Sequence, residues 1–139
     1  GRPLAPDVLR ARAATRGATP AEADLFGCAR LATLERTLSR DDRRLALEEV
    51  AVPEGLLPAL EADAATDLAA LLADAGLAAH AITDSLGAAV TGMGESVALA
   101  CARYTALLVL TRTARQGDGR IIARQTLRLI ADGLVCGPA

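Results

Sequence analysis

Three ionisable side chains stand inside apolar rows of this sequence, and they are its clearest candidates for chemistry. In a β-strand alternate residues share a face. Over residues 29–39, Arg36 falls in the row of Leu34 and Leu38; over 44–52, Glu48 falls with Ala46, Val50 and Val52; over 107–114, Arg112 follows Leu108 and Leu110. A lone charge taken out of water costs several kcal/mol, so each must meet a counter-charge or face a wet cavity. Arg36 and Glu48 lie at nearly equal distances from the polar link 40–43, which makes them candidate cross-strand neighbours. Two readings stay open for them: an ion pair that fixes a hairpin, or the polar anchors of an apolar ligand pocket. Ser85 and Arg124, from neighbouring strands, are weaker candidates for the same pocket, together with Arg112.

Catalytic signatures do not accompany these residues. His80 is the sole histidine. The sequence has no Gly-x-Ser-x-Gly turn, P-loop or Gly-x-Gly-x-x-Gly. Gly92-Met93-Gly94 could offer backbone N–H groups to an anion, or simply turn the chain into a helix. Cys28, Cys101 and Cys136 are odd in number, and none lies at zinc-ligand spacing from another. They read as buried or tail thiols, so no metal and no cofactor is expected, and the chain is not expected to be an enzyme.

The elements that must position these side chains follow from the pattern. A weak edge strand is expected over 8–14, and a helix opens at Thr19-Pro20 with Glu22 and Asp24 in its first turn, running to Gly27. Strands 29–39 and 44–52 form a hairpin across Arg40-Asp41-Asp42-Arg43. A short helical stretch is expected over 56–60 and a clear helix over 67–75, capped by Thr66 and stopped by Gly76. Strand 80–90, helix 95–103 and strands 107–114 and 120–131 follow, the last two joined through Asp118-Gly119. Residues 133–139 read as a frayed tail. Links this short make antiparallel pairs. The expectation is one α+β domain with a central antiparallel sheet and helices packed on one side.

Composition bounds the function. The chain has 139 residues, is 52% hydrophobic and 23% charged, and carries one Phe, one Tyr and no Trp, so its core must be aliphatic. Every basic residue is Arg. The net charge of -2 and the scattering of Arg among Asp and Glu speak against a nucleic-acid grip. No apolar run reaches the roughly 18 residues that span a bilayer, and the first residues lack a signal-peptide core. A cytoplasmic protein without membrane contact is expected.

The stretch from Leu34 to Pro53, LERTLSRDDRRLALEEVAVP, resembles the central hairpin of the UTRA domain, the effector-binding half of HutC-type regulators in the GntR superfamily. Arg36, Asp41-Asp42, Leu45-Ala46-Leu47, Glu48 and Val52-Pro53 follow that pattern in order. DLAALLADAGL, from Asp67 to Leu77, is similar to the family's helix that ends at a Gly, and residues 106–132 are similar to its closing hairpin. The resemblance covers about residues 8–132. It implies the chorismate-lyase-like α+β fold, a metabolite pocket beside Arg36 and Glu48, a homodimer, and DNA binding only through an N-terminal winged helix-turn-helix. The chain contains no such module and is expected to be a fragment or a stand-alone relative. Leu38 stands where sugar-phosphate sensors carry a second Arg, Asp67 where they carry Ser or Thr, and Ala123 where the family often has Glu. The implied effector is therefore a small molecule other than a sugar phosphate, with a carboxylate that Arg36 could grip. Two alternatives remain beside sensing: a lyase like chorismate lyase, which shares the fold, and a ligand-free dimerisation module.

Overall fold

The computed structural model describes residues 7–56, 68–74, 76–77 and 79–131. Six strands form one sheet: β1 (Asp7–Gly17), β2 (Arg30–Arg40), β3 (Arg43–Pro53), β4 (Ala81–Val90), β5 (Ala106–Arg115) and β6 (Ile121–Ile130). Their order across the sheet is β1-β2-β3-β6-β5-β4, and every pairing is antiparallel. Among the described residues three helices accompany it: α1 (Pro20–Phe26), α2 (Leu68–Asp74) and α3 (Met93–Leu99). Both expected hairpins are present. The β2–β3 turn has Asp41 and Asp42 at φ 52° and 64°. Aspartate tolerates this left-handed geometry, so Asp-Asp replaces the Asn-Gly common in a primed turn whose twist matches the strands.

The cores lie on both faces of the sheet. On one, Leu34, Val50, Val52, Ala114 and Ala123 pack with Leu68, Leu71 and Leu72 of α2. On the other, Phe26 of α1 packs with Leu31, Ala51 and Ile121. Leu31 and Leu34 differ by an odd number of residues and so point to opposite faces. The expectation of helices on one side alone is therefore corrected: β2, β3 and β6 bury apolar residues on both faces. α3 lies on the face of α1, because its Glu95 meets Arg128 (3.3 Å), which is in register with Leu47 on that face.

Helix ends follow local chemistry. Thr19 caps α1: its hydroxyl accepts from the Glu22 N–H (3.2 Å), and the Glu22 carboxylate accepts from the Thr19 N–H (3.0 Å). This is a reciprocal capping box. Gly27 closes the helix at φ 68°. α3 begins two residues earlier than expected and ends at Leu99, short of residue 103, because Ala100 adopts φ 53°. Alanine rarely takes that role, so the stop carries little sequence signal. Arg44 donates to the Ala98 carbonyl (3.0 Å) and the Val97 carbonyl (3.4 Å), complementing the negative end of α3. The expected stretch 56–60 and the cap at Thr66 and Asp67 lie outside the described residues, apart from Leu56, as does the tail from 132.

The capping box has a pH consequence. The Arg16 guanidinium donates to both Glu22 carboxylate oxygens (2.6 and 2.8 Å). That contact above all, then the Thr19 N–H, holds the Glu22 carboxyl below its ordinary 4.5, at about 2. A depressed folded-state value adds stability above the unfolded value, and that stability is lost as pH falls through the folded one. Wild type is expected to exceed Glu22→Gln in urea midpoint at neutral pH, with the gap closing between about pH 4.5 and 2. Parallel midpoint curves for the two proteins would show that the contact adds no net stability.

Candidate functional site

Arg36 on β2 and Glu48 on β3 are direct cross-strand partners. They share the face of Leu34 and Val50, which pack with α2. Arg36 Nε donates to Glu48 Oε1 (2.5 Å), and both side chains have 0% exposure. Gln125 on β6 donates through Nε2 to Glu48 Oε2 (2.6 Å) and is itself buried. Each Glu48 oxygen thus has a donor, and no buried side-chain polar atom among the described residues lacks a partner. This satisfaction is what allows a charge pair to sit in an aliphatic face.

The polar series continues across the sheet. Gln125 stands in register with Arg112 on β5, and Arg112 with Asp84 on β4. Arg112 donates from Nε to Asp84 Oδ1 (3.0 Å) and from Nη2 to Oδ2 (3.4 Å), a fork-to-carboxylate contact about a third exposed on the Arg side. Arg36, Glu48, Gln125, Arg112 and Asp84 therefore form one polar strip on a single face, bordered by Leu34, Val50, Leu110 and Leu127. Its charges cancel in pairs. A bound anion would have to share an arginine with the carboxylate it already holds.

Ser85 and Arg124 are not brought to this strip. Ser85 pairs with Thr111, and Arg124 with Ala51 and Thr113, all on the opposite face. Sequence alternation within a strand correctly placed Arg36, Glu48 and Arg112; the relation between strands depends on register, where one residue reverses a face. Gln125 was missed as a site residue. Its signal was an amide in the row of Ala123, Leu127 and Leu129.

That opposite face carries an open cleft of about 440 Å³ near α3. Its walls include Arg10, Arg12, Glu35, Glu49, Glu95 and Arg128, and the strand positions of Arg36 and Glu48 border it as well, four cations and four anions in all. The remaining sequence candidates settle into local roles. The Gly92 N–H donates to the Glu95 carboxylate (2.9 Å), so the turn into α3 meets its own acid. His80 donates its backbone N–H to the Arg115 carbonyl (2.8 Å) at the start of β4. Cys28 and Cys101 are free, half-buried thiols. Among the described residues no group of three or more His, Cys, Asp or Glu could hold a metal ion, and no helix is long and apolar enough to cross a membrane.

Known proteins share this architecture. A candidate transcriptional regulator from Streptomyces coelicolor is 27% identical with a TM-score of 0.76, over 90% of this chain and 85% of that one. The effector domain of PhnF from Mycobacterium smegmatis is 22% identical with a TM-score of 0.72, over 91% and 80%. The ligand-binding domain of a candidate GntR-family transcriptional regulator from Bordetella bronchiseptica is 17% identical with a TM-score of 0.71, over 92% and 83%. No curated protein matches the chain. The sequence profile of the UTRA domain matches residues 5–133, nearly the whole length. The chain belongs to the UTRA domain family.

Proposed function

We propose that this UTRA domain is the effector-sensing part of a HutC-type GntR regulator, working as a cytoplasmic homodimer and controlling a DNA-binding domain that lies outside the sequence. The observation that carries the reading is the buried Arg36–Glu48–Gln125 network on an apolar sheet face. A charge pair there is costly to maintain, and replacing it by aliphatic side chains is often neutral or stabilising, so a fold alone does not require it. A role in recognition would account for its presence. Arg36, Glu48 and Arg112 are the ligand-contacting residues of this proposal, and Gln125 joins them.

The effector we infer is a small, partly apolar molecule bearing a carboxylate. Leu38 and Ala46 are in register beside Arg36 and Glu48 and are buried, so the next row along the hairpin offers no second cation for a phosphate. Arginine takes a carboxylate through two parallel hydrogen bonds, and the incoming group would take over part of what Glu48 now supplies. Metal and cofactor chemistry plays no part in the proposal, and DNA contact is assigned to the other domain.

The test is a thermal-shift screen of small carboxylic acids on the wild-type domain, followed by calorimetry of each binder on Arg36→Ala. The variant is expected to stay folded and to lose about 1.5–3 kcal/mol of binding, the range for a hydrogen bond to a charged group. Unchanged affinity in a folded Arg36→Ala would end the assignment of this site and leave the family membership untouched.

A further inference from the structure

We infer that the homodimer forms by antiparallel pairing of β4 with β4 of a second copy, about a two-fold axis at Leu86. This rests on the homodimeric reading above and supplies the surface it needs. The two edges of the sheet are built differently. β1, one edge, carries Arg10, Arg12 and Arg16, and its pairing with β2 is irregular between Val8 and Arg10. Arginines and a bulge are the ordinary guards of a strand that must stay unpaired. β4, the other edge, reads AITDSLGAAV, with ten paired residues and no register shift against β5. Its one charge, Asp84, is turned back to Arg112 on the neighbouring strand. No Pro, Lys or Arg protects it.

The exposure pattern fits a missing neighbour. All ten residues of β4 are exposed, Leu86 at 70% and Val90 at 55%. Ile82, Leu86 and Val90 lie in one row, on the face that also carries the half-buried Leu108, Leu110, Leu127 and Leu129. On that face α2 packs over Leu34, Val50, Val52, Ala114 and Ala123, none of them in β4. Apolar surface gathered at an unguarded edge marks an interaction site.

The sequence of β4 selects a second copy as the occupant, because it is complementary to itself. Directly opposed residues in an antiparallel pair share a face. With the axis at Leu86, Leu86 meets Leu86 of the second copy, and Ile82 meets Val90. On the other face Ser85 meets Gly87, and Thr83 meets Ala89. Asp84 meets Ala88, and the two Asp84 carboxylates stand four residues apart along the strands, about 13 Å at 3.3 Å per residue, beyond the Debye length of physiological salt. Moving the axis to Asp84 would set the two carboxylates face to face. Moving it to Ala88 would push Ile82 past the end of the partner strand. The Leu86 register alone of these three keeps the whole apolar row in contact without opposed like charges.

Sedimentation velocity of wild type, Leu86→Arg and Arg12→Ala tests this, with circular dichroism confirming folding. Leu86 is 70% exposed and belongs to neither core cluster, so the variant leaves the core intact. Wild type and Arg12→Ala are expected to be dimers. Leu86→Arg brings two guanidiniums together and is expected to raise the dimer dissociation constant roughly 100-fold or more. Register is read by cross-linking in a background with Cys28, Cys101 and Cys136 replaced by Ser: Leu86→Cys is expected to cross-link to itself, and Ile82→Cys to Val90→Cys in mixtures but not to itself. A wild-type monomer at high concentration overturns the dimer and this surface together. A dimer that Leu86→Arg leaves intact overturns the surface while the dimer stands. A dimer broken by Leu86→Arg in which Ile82→Cys cross-links to itself overturns the register.

Discussion

Glu48→Ala is expected to destabilise the domain by about 3–5 kcal/mol, the usual cost of stranding one member of a buried ion pair. The loss would remove a fifth or more of the roughly 5–15 kcal/mol that holds a domain of this kind together. Arg36 has 0% side-chain exposure and cannot shed its proton, so without Glu48 it keeps a charge in an aliphatic setting. Gln125 would also lose the acceptor of its 2.6 Å hydrogen bond. Arg36→Ala strands the other member of the pair and is expected to cost stability as well. The double variant Arg36→Met, Glu48→Leu is expected to regain most of the wild-type stability, while losing effector binding. Urea denaturation checks all three. A Glu48→Ala loss below about 1 kcal/mol would mean that the pair is not desolvated in solution.

The same pair shows how far sequence reading reaches. Arg36 and Glu48 were legible because each interrupts an apolar row and because a short polar turn ties their strands together; the observed register puts them opposite. β1 was the weakest expectation, because Arg10 and Arg12 suit an edge that faces water and leave no clean alternation. Which faces different hairpins share was not legible. Ser85 and Arg124 fall opposite to Arg36 through registers set by the packing of β3 on β6 and β5 on β4. The placement of helices on both faces was hidden for the same reason: Leu31 and Leu34 announce two buried rows, but not which helix covers which. Gln125 carries no charge and so raised no desolvation alarm, although it satisfies half of Glu48.

Phe26→Ala is expected to cost about 3–5 kcal/mol, the range for a buried aromatic truncated in a core. Phe26 is the only Phe of the chain and is wholly shielded from solvent. It is the sole buried residue of α1, and it packs with Leu31, Ala51 and Ile121, one from each of three strands. A seven-residue helix cannot persist on propensity and caps alone. Its capping box and the Arg16 contact orient it, but each adds only about 1 kcal/mol. Phe26 is what fixes α1 to the sheet. Its truncation would leave a void under α1 that the surrounding strand residues cannot close without breaking ladder pairing. The polar strip lies on the other face, where Leu34, Val50 and Val52 pack with α2. Hydrogen exchange on Phe26→Ala should therefore show protection lost first in α1 and the start of β2. Leu72 and Leu71 of α2 should keep theirs until global unfolding. Simultaneous loss in α1 and α2 would show that the two faces fold as one unit, and that a ligand at Arg36 is felt directly through the sheet on the α1 side.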